Sequence, residues 1–188
     1  MYISFILFSL FFFCSGVWAN ELKEAMFYER LGNNQVQCLL CFRRCFIGEG
    51  KRGFCRVREN RKGKLYSLVY SRPCSADLSP IEKAPFYHFL PGHTRLAVAT
   101  VGCNLKCKYC QNWHISQVSP GEVREFNLSP QEIVELAKKQ GLTSISFTYT
   151  EPTVFYEYVY DISKLAKENK IKTSIVSNGY INPELTLR

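Results

Sequence analysis

"SPQEIVELAKKQGLTSISFTYTEP" runs from Ser129 to Pro152, and it sets the fold class. Ser129 is placed to cap a helix, Pro130 fits the first helical position, and Glu132 completes a capping box. Gly141 ends that helix, and "TSISFTYT" (Thr143 to Thr150) follows as a strand. Working outward, Val154 to Lys170 is helical, with Phe155, Tyr158, Val159, Ile162, Leu165 and Ala166 on one stripe. "KTSIVSNG" (Lys172 to Gly179) is another strand, and Asn182-Pro183 opens a further helix. Upstream, "RLAVATVG" (Arg95 to Gly102) is the first strand of the series. Strands that alternate with helices imply parallel βαβ units, so the class is α/β.

The full chain has 188 residues, room for one domain and a small appendage. With 46% hydrophobic and 21% charged residues it belongs to folding sequences and not to disordered ones. The net charge of +8 is concentrated: between Phe42 and Lys64 stand nine Lys/Arg against two Asp/Glu. Such a block attracts phosphates or acidic partners, or is a solvated surface. Residues 1–20, "MYISFILFSLFFFCSGVWAN", carry no charged side chain. Their apolar core has the length of a signal-peptide region, with Val17-x-Ala19 as a cleavage site, yet no Lys or Arg precedes it. A signal peptide, an anchor and a segment that the working protein does not use all stay open. Four segments are expected: residues 1–20, a cysteine-rich basic segment at 21–77, a proline-rich linker at 78–94, and the strand–helix core at 95–188.

Nine cysteines fall in two clusters, Cys38, Cys41, Cys45, Cys55 and Cys103, Cys107, Cys110, with Cys14 and Cys74 apart and unplaced. Close spacings suit ligands around one metal centre better than a disulfide framework. The loop "VGCNLKCKYCQNW" (Val101 to Trp113) gives Cys103-x3-Cys107-x2-Cys110 directly after a strand. Four thiolates close a zinc or iron–sulfur site, whereas three leave one position open, the mark of a reactive centre. A cubane cluster held by three cysteines has one iron free for another ligand.

These residues resemble the signature of the radical S-adenosylmethionine (SAM) enzymes, including the aromatic Tyr109 before the last cysteine. "TYTEP" (Thr148 to Pro152) resembles that family's glycine-glycine-glutamate-proline region, and "SNG" (Ser177 to Gly179) its T-N-G turn. "QCLLCFRRCFIGEGKRGFCRVREN", "PIEKAPFYHFLPG" and "VGCNLKCKYCQNWHISQ" resemble more narrowly the radical SAM member of the AmmeMemoRadiSam system, related to pyruvate formate-lyase activating enzymes. The sequence departs from that pattern at Phe42, Ser79, Ala84 and Thr150. The resemblance implies a 4Fe-4S cluster on Cys103, Cys107 and Cys110 that cleaves SAM reductively to a 5′-deoxyadenosyl radical for hydrogen abstraction. It implies that Tyr109 packs near the adenine. Tyr149, Thr150 and Glu151 would form an edge for the methionine moiety, with Asn178 at the next strand. It also implies a one-electron donor such as a flavodoxin or ferredoxin, and the Memo and companion proteins as partners. The fold implied is a partial TIM-like barrel, of which the three strands here make the first half. On that expectation the chain is truncated at its C-terminal end. No residue is assigned to the abstraction step, and the substrate, a protein among the candidates, is not fixed by the resemblance.

The earlier thiols, Cys38-x2-Cys41-x3-Cys45-x9-Cys55, can close a structural zinc site or hold an auxiliary iron–sulfur cluster. His88, His93 and His114 read as packing or surface residues. Two other readings stand beside the enzyme: a zinc-knuckle module that binds nucleic acid through the basic block, and an inactive gene fragment. SAM is cytoplasmic, so a cytoplasmic protein, tethered or not by residues 1–20, is expected over an exported one.

Overall fold

Three parallel strands carry the second half of the chain in the computed structural model, which describes residues 22–185. The expectations for residues 1–20, and Cys14 among them, lie outside the described residues. Six short strands come first: β1 (Lys23–Glu24), β2 (Tyr28–Arg30), β3 (Val36–Cys38), β4 (Phe46–Ile47), β5 (Arg58–Arg61) and β6 (Lys64–Ser67). They form two three-stranded antiparallel sheets, in the orders β1-β6-β5 and β2-β3-β4. A four-stranded sheet follows, with β7 (Ser75–Pro80), β8 (Thr94–Ala99), β9 (Ser144–Phe147) and β10 (Lys172–Ile175) in the order β10-β9-β8-β7. β8, β9 and β10 run parallel, and β7 pairs antiparallel with β8.

The fourth strand lies across one of the expected segment boundaries. β7 crosses the boundary at 77/78, so part of the expected proline-rich linker is a sheet edge. Proline lacks an N–H and is admitted at strand ends and edges, and Pro80 closes β7 opposite Thr94. The cysteine-rich segment likewise holds two small sheets, and its last strand, β6, ends at Ser67.

The helices follow the sequence signals. α1 (Trp113–Ser116) is a single turn after the central cysteines. α2 (Pro130–Lys139) has the capping box: the Glu132 N–H donates to Ser129 Oγ at 3.2 Å, and the Ser129 N–H donates to Glu132 Oε2 at 2.7 Å. The chain leaves α2 through Gly141 at φ +66°. A 3-10 turn at Pro152–Phe155 leads into α3 (Tyr156–Glu168). Ile133, Val134 and Ala137 of α2 and Tyr158, Val159, Ile162 and Ala166 of α3 are buried against Leu96, Val98, Ile145 and Phe147 of the sheet. Those four strand residues alternate along β8 and β9, so they share one face. The opposite face is lined with small groups, and Ser146 and Ser174 bond across β9 and β10 at 2.6 Å. The chain is therefore mixed α/β, with the C-terminal ends of three parallel strands opening toward one side.

Candidate functional site

The three central cysteines sit on the loop that leaves β8, and Gly102 starts it. Gly102 has φ +93°, and a Cβ there would lie 2.6 Å from Val57 Cγ1 and 2.7 Å from the Cys55 carbonyl oxygen. The loop thus leans on the cysteine-rich segment with no room for a side chain. Arg56 adds a tie by donating to the Gln117 carbonyl oxygen. Gly102→Ala adds both a left-handed conformation and a clash with backbone. It is expected to cost more than about 1 kcal/mol, read by denaturant unfolding; a cost near zero would show that the two segments separate freely.

Cys103, Cys107 and Cys110 line an open cleft of about 640 Å³ together with Tyr149, Thr150, Glu151 and Asn178. Six of the seven expected residues beyond the first cysteine thus meet at one place, at the C-terminal ends of β8, β9 and β10, where α/β folds carry their chemistry. Tyr109 does not join them; it is 93% exposed and lines no part of the cleft. Cys107 is exposed, and Cys103 and Cys110 are partly covered. Burial pushes the Cys103 thiol up, and the Leu105 N–H, 3.4 Å from its sulfur, offsets part of this. Cys110 Sγ lies 3.4 Å from Ser116 Oγ.

The strand ends are held by a network that crosses the sheet. Tyr149 sits at φ +66°, a left-handed conformation that costs an L-residue about 1–2 kcal/mol. Asn112 holds it by donating to its carbonyl at 2.9 Å, and Thr150 Oγ1 donates to the Thr100 carbonyl at 2.7 Å. The turn sends Glu151 inward, where it is 1% exposed. Glu151 Oε1 accepts from the Thr153 N–H, Thr153 Oγ1 and Ser177 Oγ, and its Oε2 accepts from the Asn178 N–H at 2.8 Å. This carboxylate ties the end of β9 to the turn after β10. Asn178 Nδ2 in turn donates to Asn104 Oδ1 at 2.9 Å and stands 3.9 Å from Cys103 Sγ.

Sequence reasoning missed Asn104, Asn112 and Ser116. Asn104 is the most connected of them: it is buried at 1% exposure and donates to the Tyr180 carbonyl at 3.1 Å. Its one visible signal was a position directly after Cys103. The earlier thiols also come together. Cys38, Cys41, Cys45 and Cys55 all line one small cavity beside Arg43, Arg58 and Asn104. Burial pushes the Cys55 thiol up to about 12 and raises Cys41 as well. Among the described residues, no group of three or more His, Cys, Asp or Glu side chains is spaced to hold a metal ion as it stands. Nor is any helix there long and apolar enough to cross a membrane.

A cleft lined by three thiols at the ends of parallel strands defines a class, and the comparisons agree with it. Residues 98–187 match the Radical SAM superfamily, the likeness that the cleft and its three thiols lead one to expect. Over 163 residues the chain is 48% identical to Uncharacterized protein MJ0808 of Methanocaldococcus jannaschii, a match that covers 87% of this chain and 49% of that protein. It is 30% identical over 124 residues to Uncharacterized protein MJ0674 of the same organism, covering 62% of this chain and 31% of that protein. The chain thus spans about half the length of the first relative and less than a third of the second. No solved structure matches it.

Proposed function

We propose that the protein is a radical SAM enzyme whose 4Fe-4S cluster is held by Cys103, Cys107 and Cys110. The observation that carries this is the cleft itself: three thiols and the ends of three parallel strands open into about 640 Å³. The donor set fits the group, because thiolates suit iron–sulfur clusters and three of them leave one iron free. When bound, the cluster supplies one electron that splits SAM and starts radical chemistry. The chain's own residues orient and shelter that chemistry. The Leu105 N–H steadies the Cys103 thiolate, and Ser116 Oγ lies beside Cys110. Thr150 and Asn112 fix the edge at the end of β9 on which the methionine part of SAM is to lie. Glu151 acts by positioning, since its carboxylate is engaged with the residues after β9 and β10.

The finer resemblance, to the radical SAM member of the AmmeMemoRadiSam system, rests on the stretches around Cys38 to Cys55, Pro80 to Gly92 and Val101 to Gln117. On that reading a small flavin or iron–sulfur protein delivers the electron and the neighbouring proteins of that system supply or receive the modified species. The test is anaerobic reconstitution with iron and sulfide, followed by dithionite and SAM. A broad visible absorption that bleaches on reduction, with release of 5′-deoxyadenosine, is the expected outcome. A colourless protein that takes no iron refutes the proposal.

A further inference from the structure

Outside the matched residues 98–187, four thiols face one cavity that the proposed reaction does not use. Cys38 ends β3, Cys41 and Cys45 flank the turn before β4, and Cys55 precedes β5. Strand pairing draws the first three together: the Cys38 N–H donates to the Cys45 carbonyl at 2.9 Å, and the Arg44 N–H donates to the Cys41 carbonyl at 3.0 Å. Arg44 has φ +42°, so the chain turns sharply between the second and third thiols.

Size separates this cavity from the cleft. It measures about 20 Å³, against about 640 Å³ at Cys103 to Cys110. A space on the order of 10–15 Å³ holds one water-sized body, so the cavity suits one ion and is small for a four-iron cluster. Four thiolates around one ion make the closed tetrahedral arrangement of structural zinc. Two positive groups line the same wall. Arg43 lies over the Phe54 ring at 3.7 Å, and Arg58 is buried at 1% exposure. Arg58 is already paired with Glu157, so Arg43 is the one of the two left to offset the negative charge that four thiolates leave on a divalent ion.

We propose that Cys38, Cys41, Cys45 and Cys55 bind a single zinc ion, and that this ion braces the loop carrying the radical SAM cysteines. Each ligating thiol gives up its proton to solvent as the metal binds, and no electron moves. The brace runs through Asn104. Its side chain accepts from Asn178 and donates to the Tyr180 carbonyl, and Arg43 Nε donates to its backbone carbonyl at 2.9 Å. Cys41 also bridges to Ile181 by backbone pairing. The residue after Cys103 is therefore tied to Arg43, in the turn between the second and third thiols of the zinc set.

The role as a brace rests on the proposed function, whereas the ion itself does not, and the experiment separates them. The 188-residue chain is purified anaerobically from zinc-supplied cells and its metals are measured, with Co(II) as a spectroscopic substitute. One zinc per chain is expected, with the visible bands of tetrahedral cobalt–thiolate after exchange. A Cys103→Ala, Cys107→Ala, Cys110→Ala triple variant keeps the zinc, and a Cys41→Ser, Cys45→Ser double variant loses it. Because the double variant can misfold, alkylation of the wild type serves as the second measurement. Zinc should protect Cys38, Cys41, Cys45 and Cys55 and leave Cys107 reactive. Zinc loading should also slow amide exchange at Cys103 to Leu105, and unchanged exchange there would remove the bracing role. Iron in place of zinc at the four thiols, or equal alkylation with and without zinc, would overturn the site. Absence of a cluster in the cleft, with zinc retained, would defeat the radical SAM reading alone.

Discussion

Cys107→Ala is expected to abolish both the bleachable cluster absorption and the cleavage of SAM. On the proposed reading the loop has three thiols for three irons, and Cys107 is the central one by sequence and the exposed one by structure. Cys38, Cys41, Cys45 and Cys55 line a different cavity, so none of them lines the cleft as a ready replacement. The substitution should also be quiet in every other respect. Cys107 makes no buried contact that alanine would lose, and surface changes of that kind usually stay within about 0.5 kcal/mol. The metal-free variant should therefore unfold at the same denaturant midpoint as the metal-free parent. That pairing separates a ligand from a packing residue: stability holds while iron content and 5′-deoxyadenosine release collapse. Four irons per chain and undiminished cleavage in the variant would remove Cys107 from the ligand set.

What could be read before the structure depended on the range of the signals involved. The two long helices and three parallel strands announce themselves locally, through the Ser129-Pro130-Glu132 cap, the Gly141 stop and the apolar stripe of α3. β7 does not, because "SADLSP" is polar and ends in proline, and only its pairing with β8 makes it a strand. The six strands of the N-terminal sheets have two to four residues each, too few for a period of two to show. The same divide runs through the site. The thiols and the Thr148-to-Pro152 turn were legible as spacing, and the structure brings them to one cleft. The work of Glu151 was not, since two of its donors, Ser177 and Asn178, come from more than 20 residues further along the chain. The role of Asn104 was hidden for the same reason: its partners Asn178 and Tyr180 are 74 and 76 residues away. Tyr109 was drawn toward the adenine by resemblance alone, and its side chain stands in solvent.

Arg58→Ala should cost roughly 3–5 kcal/mol of stability, the scale expected when one member of a buried ion pair is removed. Arg58 and Glu157 are 1% and 0% exposed, and Arg58 Nη2 donates to both carboxylate oxygens, at 2.5 and 2.7 Å. Burial by itself would pull the guanidinium below its ordinary range, but the Glu157 carboxylate outweighs it and holds Arg58 above that range. Arg58 also donates to the Met26 and Val154 carbonyls, and Glu157 accepts from the Met26 N–H at 2.7 Å. The pair thus joins β5 to α3 and pins the first residues of the described chain to both. Alanine at 58 leaves the Glu157 charge buried with one backbone donor, and it removes a wall of the four-thiol cavity. A small domain has about 5–15 kcal/mol in total, so the loss is a large share of what holds the two segments together. The cost comes from the stranded charge more than from the lost attraction. Hence Arg58→Met combined with Glu157→Leu should recover most of it, because apolar groups of similar volume replace a buried pair at little net cost. Denaturant unfolding of the two single variants and the double variant measures the coupling directly. A single variant that loses less than about 1 kcal/mol, or a double variant no more stable than the singles, would mean that water reaches Glu157 and that the junction between the segments is looser than its geometry indicates.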